Sequence, residues 1–519
     1  DPLGGRTTNE YDGMNRLIAQ NDPLGRVTRY VYDAAGRRIK RRSASGDELC
    51  WDYDSSGRLS RTIAAGKVRS RIERDFAGRT MRVVEDDLVH EMTWDHRGNL
   101  LHRLRNGVGM RYGYDRGGRR TSMTRPDGTT TTYGYDANNR LATVEHPGLG
   151  RAELGRDHLG RITSLQADGL RSEWRYQDGY LTGQHTNRRG FISETVIERD
   201  PDGRIVSETV DGLRTFYSYD EAGQLTGTRT SEGAASEFVW DANGRLSREV
   251  INGRVAQHRY DQAGQLLESR TPVGTISYAY DDQGRRTRRI APDGEQLFAW
   301  DSMGYLAQVT DVKKDHDRRV ASSRTLRTDA LGELASVDDT EIWWDTASGL
   351  PSVAQIGLTD VVNAGVATAL TGAGGSSAAA ASGGALWSLP GAGGGAAPWM
   401  PEGQTGLPGV AGVQISATGG VQIGGLDWLQ ARVYDPGTRG FLSTDPLRPV
   451  AAAGWAGNPY SYAGNDPVNQ SDPLGLSPVT DAELAAYRDA SRGSIGNGIA
   501  AAGDWVANNW EYIAAGALI

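Results

Sequence analysis

Aspartate is the residue through which this 519-residue chain could do chemistry, and two copies stand out by their context. Asp445 lies in FLSTDPLRP and Asp472 in QSDPLGLSP, each followed by proline, 27 residues apart. Two carboxylates brought within hydrogen-bonding distance cannot both ionise cheaply, so such a pair holds one proton over a wide pH range and titrates as a unit. One member can then activate water while the other protonates or polarises a carbonyl. Taken alone, the residues favour a plainer reading. Asp-Pro is a turn step, and DPLG occurs twice more, starting at Asp1 and at Asp22. Cys50 is the single cysteine, and the eight histidines show neither HxxxH nor HExxH spacing, so no disulfide frame, metal site or cofactor is expected.

The elements that must carry these aspartates are set by a repeat. An aromatic-Asp pair recurs at Tyr11-Asp12, Tyr32-Asp33, Tyr53-Asp54, Trp94-Asp95, Tyr114-Asp115, Tyr135-Asp136, Tyr219-Asp220, Trp240-Asp241, Tyr260-Asp261, Tyr280-Asp281 and Trp300-Asp301. Degenerate copies at Asp75, Asp157, Asp178 and Asp200 fill the gaps and give a period of about 21 residues. Within a unit, residues alternate as in strands, Val27, Arg29 and Val31 against Thr28, Tyr30 and Tyr32. Asp opening a tight turn accepts backbone N–H groups two residues on, and Gly three residues later supplies a positive φ. Each D-x-x-G is therefore read as a hairpin end, and second turn signals about ten residues on, such as Asp127-Gly128 and Asn252-Gly253, make one repeat two strands and two turns. The Arg after most turns (Arg37, Arg58, Arg119, Arg245 and Arg285 among them) is expected to pair with the turn Asp. The repeated Tyr and Trp read as scaffold in preference to sugar-binding surfaces.

Composition narrows the rest. The net charge is −8, and only four of the 57 basic residues are lysines (Lys40, Lys67, Lys313, Lys314), which describes a salt-bridged surface and gives the repeats no nucleic-acid partner. Residues 346–425 hold 20 glycines and two charges, Asp360 and Glu402, and read as a Gly/Ala-rich linker or insertion unable to supply alternating strands. Beyond Leu476, Thr480 and Glu483 form a capping box opening a helix to about Ala490, and a mostly apolar second helix ends the chain. Membrane contact is conceivable only for that last segment, which supplies just the beginning of a span. The chain opens with Asp1 in mid-pattern and reads as a fragment without a legible targeting signal.

Units such as YDAAGRRI, YDSSGRL, YDANNRL and WDANGRL resemble the YD repeat of Rhs proteins, shared with the C component of insecticidal toxin complexes and with teneurins. The segments ARVYDPGTRGFLSTDP, NPYSYAGNDP and DPLGL resemble the Rhs-associated core. The connection LRPVAAAGWAG is longer than usual in that core, and the Gly/Ala tract before it is less strand-like than in typical members. The resemblance implies an all-β architecture: a spiralling shell of β-hairpins over residues 1–345, the linker 346–425, the core 426–476 and the start of a variable toxin at 477–519, with a short helical C-terminal segment. It implies intramolecular aspartic proteolysis by Asp445 and Asp472, with Arg432 positioning a carboxylate or stabilising developing charge, at the bond between Leu476 and Ser477. It also implies an exported bacterial effector holding its own C-terminal segment as cargo, with an immunity protein and a delivery partner. The competing reading is a non-cleaving surface adhesion or glycan-binding repeat protein, which gives no reason for DPLGL at a composition boundary.

Overall fold

A computed structural model of the chain describes residues 1–315, 318–347, 351–364, 367–372, 386–388, 412–415, 420–447 and 453–480. From Thr8–Tyr11 to Leu386–Ser388 it is one antiparallel meander of 37 strands, each paired with the next in sequence. Among the described residues the single helical element is a 3₁₀ turn at Ala463–Asn465. The helical reading of the C-terminal segment falls on residues 481–519, outside the described residues.

One repeat shows why the meander forms. In the turn after Val27–Tyr32, the Gly36 N–H donates to the Asp33 carbonyl at 3.1 Å with φ of +81°. Asp33 Oδ1 accepts the N–H groups of Ala35 and Arg37 at 3.0 and 2.9 Å, and Oδ2 accepts Arg37 Nε at 2.7 Å. The Arg37 side chain, followed by that residue's amide, holds the Asp33 carboxyl below the ordinary aspartate range. The register slips by one between Val31 and Tyr32, a bulge that turns the strand into the hairpin end.

The aromatic residue has its own task. Tyr32 Oη donates to the Leu17 carbonyl at 2.8 Å, Tyr53 to Arg38 at 2.6 Å, Trp240 Nε1 to Leu225 at 2.8 Å and Trp300 Nε1 to Arg286 at 2.7 Å. Each is a stitch to the preceding hairpin, about 1 kcal/mol apiece. Phe cannot replace Tyr or Trp in this role because it has no donor. The turn arginines stack on the next aromatic ring, Arg37 over Tyr53 at 4.7 Å and Arg245 over Tyr260 at 5.1 Å.

Turns alternate between two rims, and contacts between rims show the ribbon winding onto itself. Arg26 Nη1 donates to the Asp281 carbonyl at 3.1 Å, 255 residues on. Further along, Arg103 grips Glu333 at 2.7 and 2.6 Å across 230 residues, and His146 Nε2 meets Asp360 at 3.1 Å across 214. The shrinking separation means the later turn of the spiral takes fewer residues than the one it lies on, so the winding tightens. Leu331, Trp343 and Ala354 pack on strand residues from Leu49 to Met123, and Val362 and Ala369 pack on Leu141 to Trp174.

For its described residues, this inner turn corrects the linker reading that began at residue 346. Ser352–Ile356, Thr359–Asn363 and Thr368–Gly372 are strands that continue the ribbon past residue 345. Residues such as Val353, Ala354, Val361 and Val362 are buried consecutively, without alternation. A strand covered on both faces loses the period-two signature.

Candidate active site

A second sheet runs as a short meander through Val413–Ile415, Val421–Ile423, Leu426–Leu429, Arg432–Asp435 and Gly440–Phe441. Its apolar residues Val413, Ile423, Leu426, Trp428 and Val433 join one core with Phe298, Leu306, Val309 and Ile342 of the ribbon. The sheet is thereby fixed to the wall, and its last hairpin presents Arg432.

Arg432 is 3% exposed, with its guanidinium 3.7 Å from the centre of the Phe441 ring. Nη2 lies 3.1 Å from Asp445 Oδ2 and 3.2 Å from Asp472 Oδ2, so one nitrogen bridges both carboxylates. Nε donates to the Gly475 carbonyl, one residue before Leu476. Nη1 is buried without a hydrogen-bond partner among the described residues. The three residues singled out in the sequence therefore meet, with a cation between the two aspartates.

The DPLGL segment wraps round Asp472. Oδ1 accepts the amides of Leu476 at 2.7 Å and Ser477 at 3.0 Å, and the Gly475 N–H closes the turn on the Asp472 carbonyl at 3.2 Å. Gly475 sits at φ +64°, where a Cβ would come 2.6 Å from the Leu429 carbonyl and 2.9 Å from the Arg432 nitrogen, so only glycine fits. The backbone then pairs Gln470–Ser471 with Val479–Thr480, pinning both sides of the Leu476–Ser477 bond.

Burial is the largest influence on both carboxyls. It pushes Asp445 up to about 6 against the opposing pull of Arg432, and it raises Asp472, which is 1% exposed, in the same direction. Asp445 keeps 29% of its side chain exposed and reaches solvent, whereas Asp472 does not. Among the described residues no group of three or more His, Cys, Asp or Glu is arranged to hold a metal ion.

Two holding contacts escaped the sequence reading. Arg286 Nη1 pairs with Asp435 at 2.6 Å and Arg439 Nη2 with Glu249 at 2.7 Å, tying the hairpin to the wall. A signal for the first was available. After some turn arginines the next residue is a buried Leu, as at Leu59, Leu141 and Leu246, whereas Arg285 is followed by the buried Arg286.

The fold and repeat chemistry define a YD-repeat β-shell. Comparison by sequence agrees: the RHS Repeat family matches residues 11–48, 94–130 and 114–152, and the Teneurin YD-shell family matches residues 186–317. The chain thus carries RHS-type YD repeats and a YD-shell segment, and its fold is similar to that of Tc toxin components. The Tc holotoxin pore of Photorhabdus luminescens superposes with a TM-score of 0.61 at 16% identity, over 92% of this chain and 30% of that one. The TcdB2-TccC3-Cdc42 structure gives 0.58 at 16% identity, over 91% and 30%. TcdB2-TccC3 without its hypervariable C-terminal region gives 0.59 at 15%, over 91% and 28%. The chain thus spans under a third of the length of these relatives, and at such identity the likeness is one of fold. No curated protein matches the chain by sequence.

Proposed function

We propose that this chain is the closing part of a toxin shell that cuts itself once, between Leu476 and Ser477, and retains the segment after the cut as cargo. The observation carrying this reading is the meeting of Arg432, Asp445 and Asp472 around the backbone of that bond, with the Ser477 amide on Asp472 Oδ1. Asp445, the partner that reaches solvent, takes a proton from water as base. Asp472, buried and raised, supplies the proton that the Ser477 nitrogen needs to leave. Water adds to the Leu476 carbonyl, the C–N bond breaks, and the products are a carboxylic acid at Leu476 and an amine at Ser477. The unpartnered Nη1 of Arg432 is available to meet the negative charge that develops on the carbonyl oxygen.

Cargo retention, an immunity protein and delivery out of the producing cell follow only from kinship with RHS-type and Tc proteins, and belong to the same proposal. Intact-mass measurement of the purified chain tests its core. Fragments ending at Leu476 and starting at Ser477 support the reading, and a single uncut chain in which wild type and the Asp445→Asn, Asp472→Asn variant are alike rejects it. Co-elution of the two fragments on a native sizing column tests retention.

A further inference from the structure

The hairpin that presents Arg432 does not stand alone. Its turn, from Asp435 to Gly440, is gripped by two strands of the ribbon wall, Leu246–Ile251 and Arg286–Ala291. From the first, Glu249 Oε2 receives Arg439 Nε and Nη2 at 2.9 and 2.7 Å. From the second, Arg286 Nη1 donates to Asp435 Oδ2 at 2.6 Å, Arg286 Nη2 to Thr438 Oγ1 at 3.2 Å, and the Arg286 amide to the Leu442 carbonyl at 2.8 Å. Arg286 is 2% exposed, and the Arg439, Glu249 and Asp435 side chains are 8, 13 and 13% exposed. The two pairs run in opposite senses, wall acid to core base and wall base to core acid, which permits one register only.

Buried ion pairs add little net stability compared with apolar packing, and their best-attested use is to fix registry. What this registry fixes is the site. Phe441, on which Arg432 stacks, follows the gripped turn directly, and Asp445 lies four residues further on, its amide bonded to the Pro459 carbonyl at 2.8 Å. The same run of wall units holds the rest of the path. Tyr460 Oη donates to the Gly284 carbonyl, Asn465 Nδ2 to Gln224 Oε1 and Asn469 Nδ2 to Tyr219 Oη, at 2.7, 2.7 and 3.0 Å.

We propose that Glu249 and Arg286, wall residues that touch none of the reacting groups, are positioning residues for the cleavage at Leu476. Their grip on the Asp435–Gly440 turn sets Arg432 between Asp445 and Asp472, so the cut waits until the wall from Leu246 to Ala291 has folded around the core. The inference rests on the self-cleavage reading and deepens it: the shell licenses its own processing.

The test uses the full chain and follows the first-order appearance of the cut product by mass, with thermal melting of the shell measured in parallel. Glu249→Gln and Arg286→Met are expected to slow cutting at least tenfold. The charge-exchanged pair Glu249→Arg, Arg439→Glu is expected to recover most of the rate. Arg161→Gln, which removes an ion pair made within a single wall turn, keeps the wild-type rate. Loosening the grip lets Arg432 drift from Asp445 and weakens the cation's pull towards the ionised carboxylate, so the acid limb of the pH profile moves to higher pH in Glu249→Gln. A loss of rate that merely tracks a lowered melting temperature does not produce this displacement. Wild-type rates in both single variants overturn the proposal, as does slowing that follows melting with an unmoved profile and no recovery in the exchanged pair. A wild-type chain that stays uncut removes the cleavage reading, and this inference with it. That failure is distinct because every variant then has one uncut mass.

Discussion

The backbone amide of Ser477 donates to Asp472 Oδ1 at 3.0 Å, so the nitrogen that leaves when the Leu476–Ser477 bond breaks already rests against a buried carboxyl. Asp472 therefore does two things at once. As the first residue of a D-x-x-G turn it shapes the DPLG backbone, as Asp33 shapes its own turn, and through the same oxygen it touches the scissile amide. The earlier copies at Asp1 and Asp22 make the same turn bonds to Gly5 and Arg26, at 2.8 and 2.9 Å, and Asp22 pairs with the arginine that follows its own turn.

Removing either carboxylate is expected to stop the cut while leaving the shell folded. Asp445→Asn and Asp472→Asn each slow product formation by about 10²–10⁴-fold, the range for loss of a general acid or base. Mass also separates this chemistry from acid lability. Hydrolysis of the Asp472–Pro473 bond ends the large fragment at Asp472, four residues short of Leu476, and survives the Asp445→Asn change.

The cutting rate depends on pH through Asp445. Its carboxyl is raised to about 6 by burial and acts as base in its ionised form, so the rate climbs as pH rises from about 5 to 7. At higher pH the rate falls again once the buried Asp472 gives up its proton. Single-turnover rates measured across pH 4–9 check the order: a rate that falls through pH 6 would assign the proton donor to Asp445 and reverse the two roles.

Gly475→Ala and Arg432→Lys probe the geometry without touching either carboxylate. The alanine methyl would meet backbone atoms 2.6 and 2.9 Å away at a positive φ, so the turn must shift and carry the Leu476 carbonyl with it. Lysine keeps the charge of Arg432 but cannot reach the Gly475 carbonyl and both aspartates together. Both variants are expected to cut at least about tenfold more slowly, equivalent to about 1.4 kcal/mol on the barrier, with little change in shell melting.

Much of this was legible in the residues because the repeat is redundant. Fifteen aspartates at one spacing announce hairpins, and each bond that the Asp33 carboxylate makes is local, within four residues. The meeting of Asp445 with Asp472 was implied by family resemblance and not by physics, since spacing alone does not bring two turns together. The strands at Ser352–Ile356 and Thr359–Asn363 were missed because double burial erases alternation and because Gly and Ala look like linker when the neighbouring wall is unknown. Contacts such as Arg286 with Asp435 span 149 residues and leave only an indirect mark, an arginine at a position that most units give to an apolar residue. Arg120 stands at the same position of its unit and meets Asp345 of the inner turn at 2.6 Å.

The seam between the two turns of the spiral should respond to pH in the alkaline direction. Glu85 is 1% exposed, 2.6 Å from Arg69, and accepts the Ala330 amide, yet burial outweighs these partners and raises its carboxyl to about 7. A carboxyl raised in the folded state binds its proton more tightly there than when unfolded. Its contribution to stability is therefore full below the unfolded value near 4.5 and is lost as pH rises through about 7. Buried Asp329 and Glu333 across the seam are raised in the same sense, and Arg103 holds Glu333 at 2.6 Å. Melting followed from pH 5 to 8.5 is expected to fall, and Glu85→Gln, neutral at every pH, should flatten part of that fall by removing one of its sources. Arg103→Met acts in the opposite way, leaving Glu333 buried without its cation at a cost of about 3–5 kcal/mol and steepening the loss above pH 7. A melting temperature that holds constant or rises across this range in the unmodified chain would show that Arg69 keeps Glu85 ionised throughout.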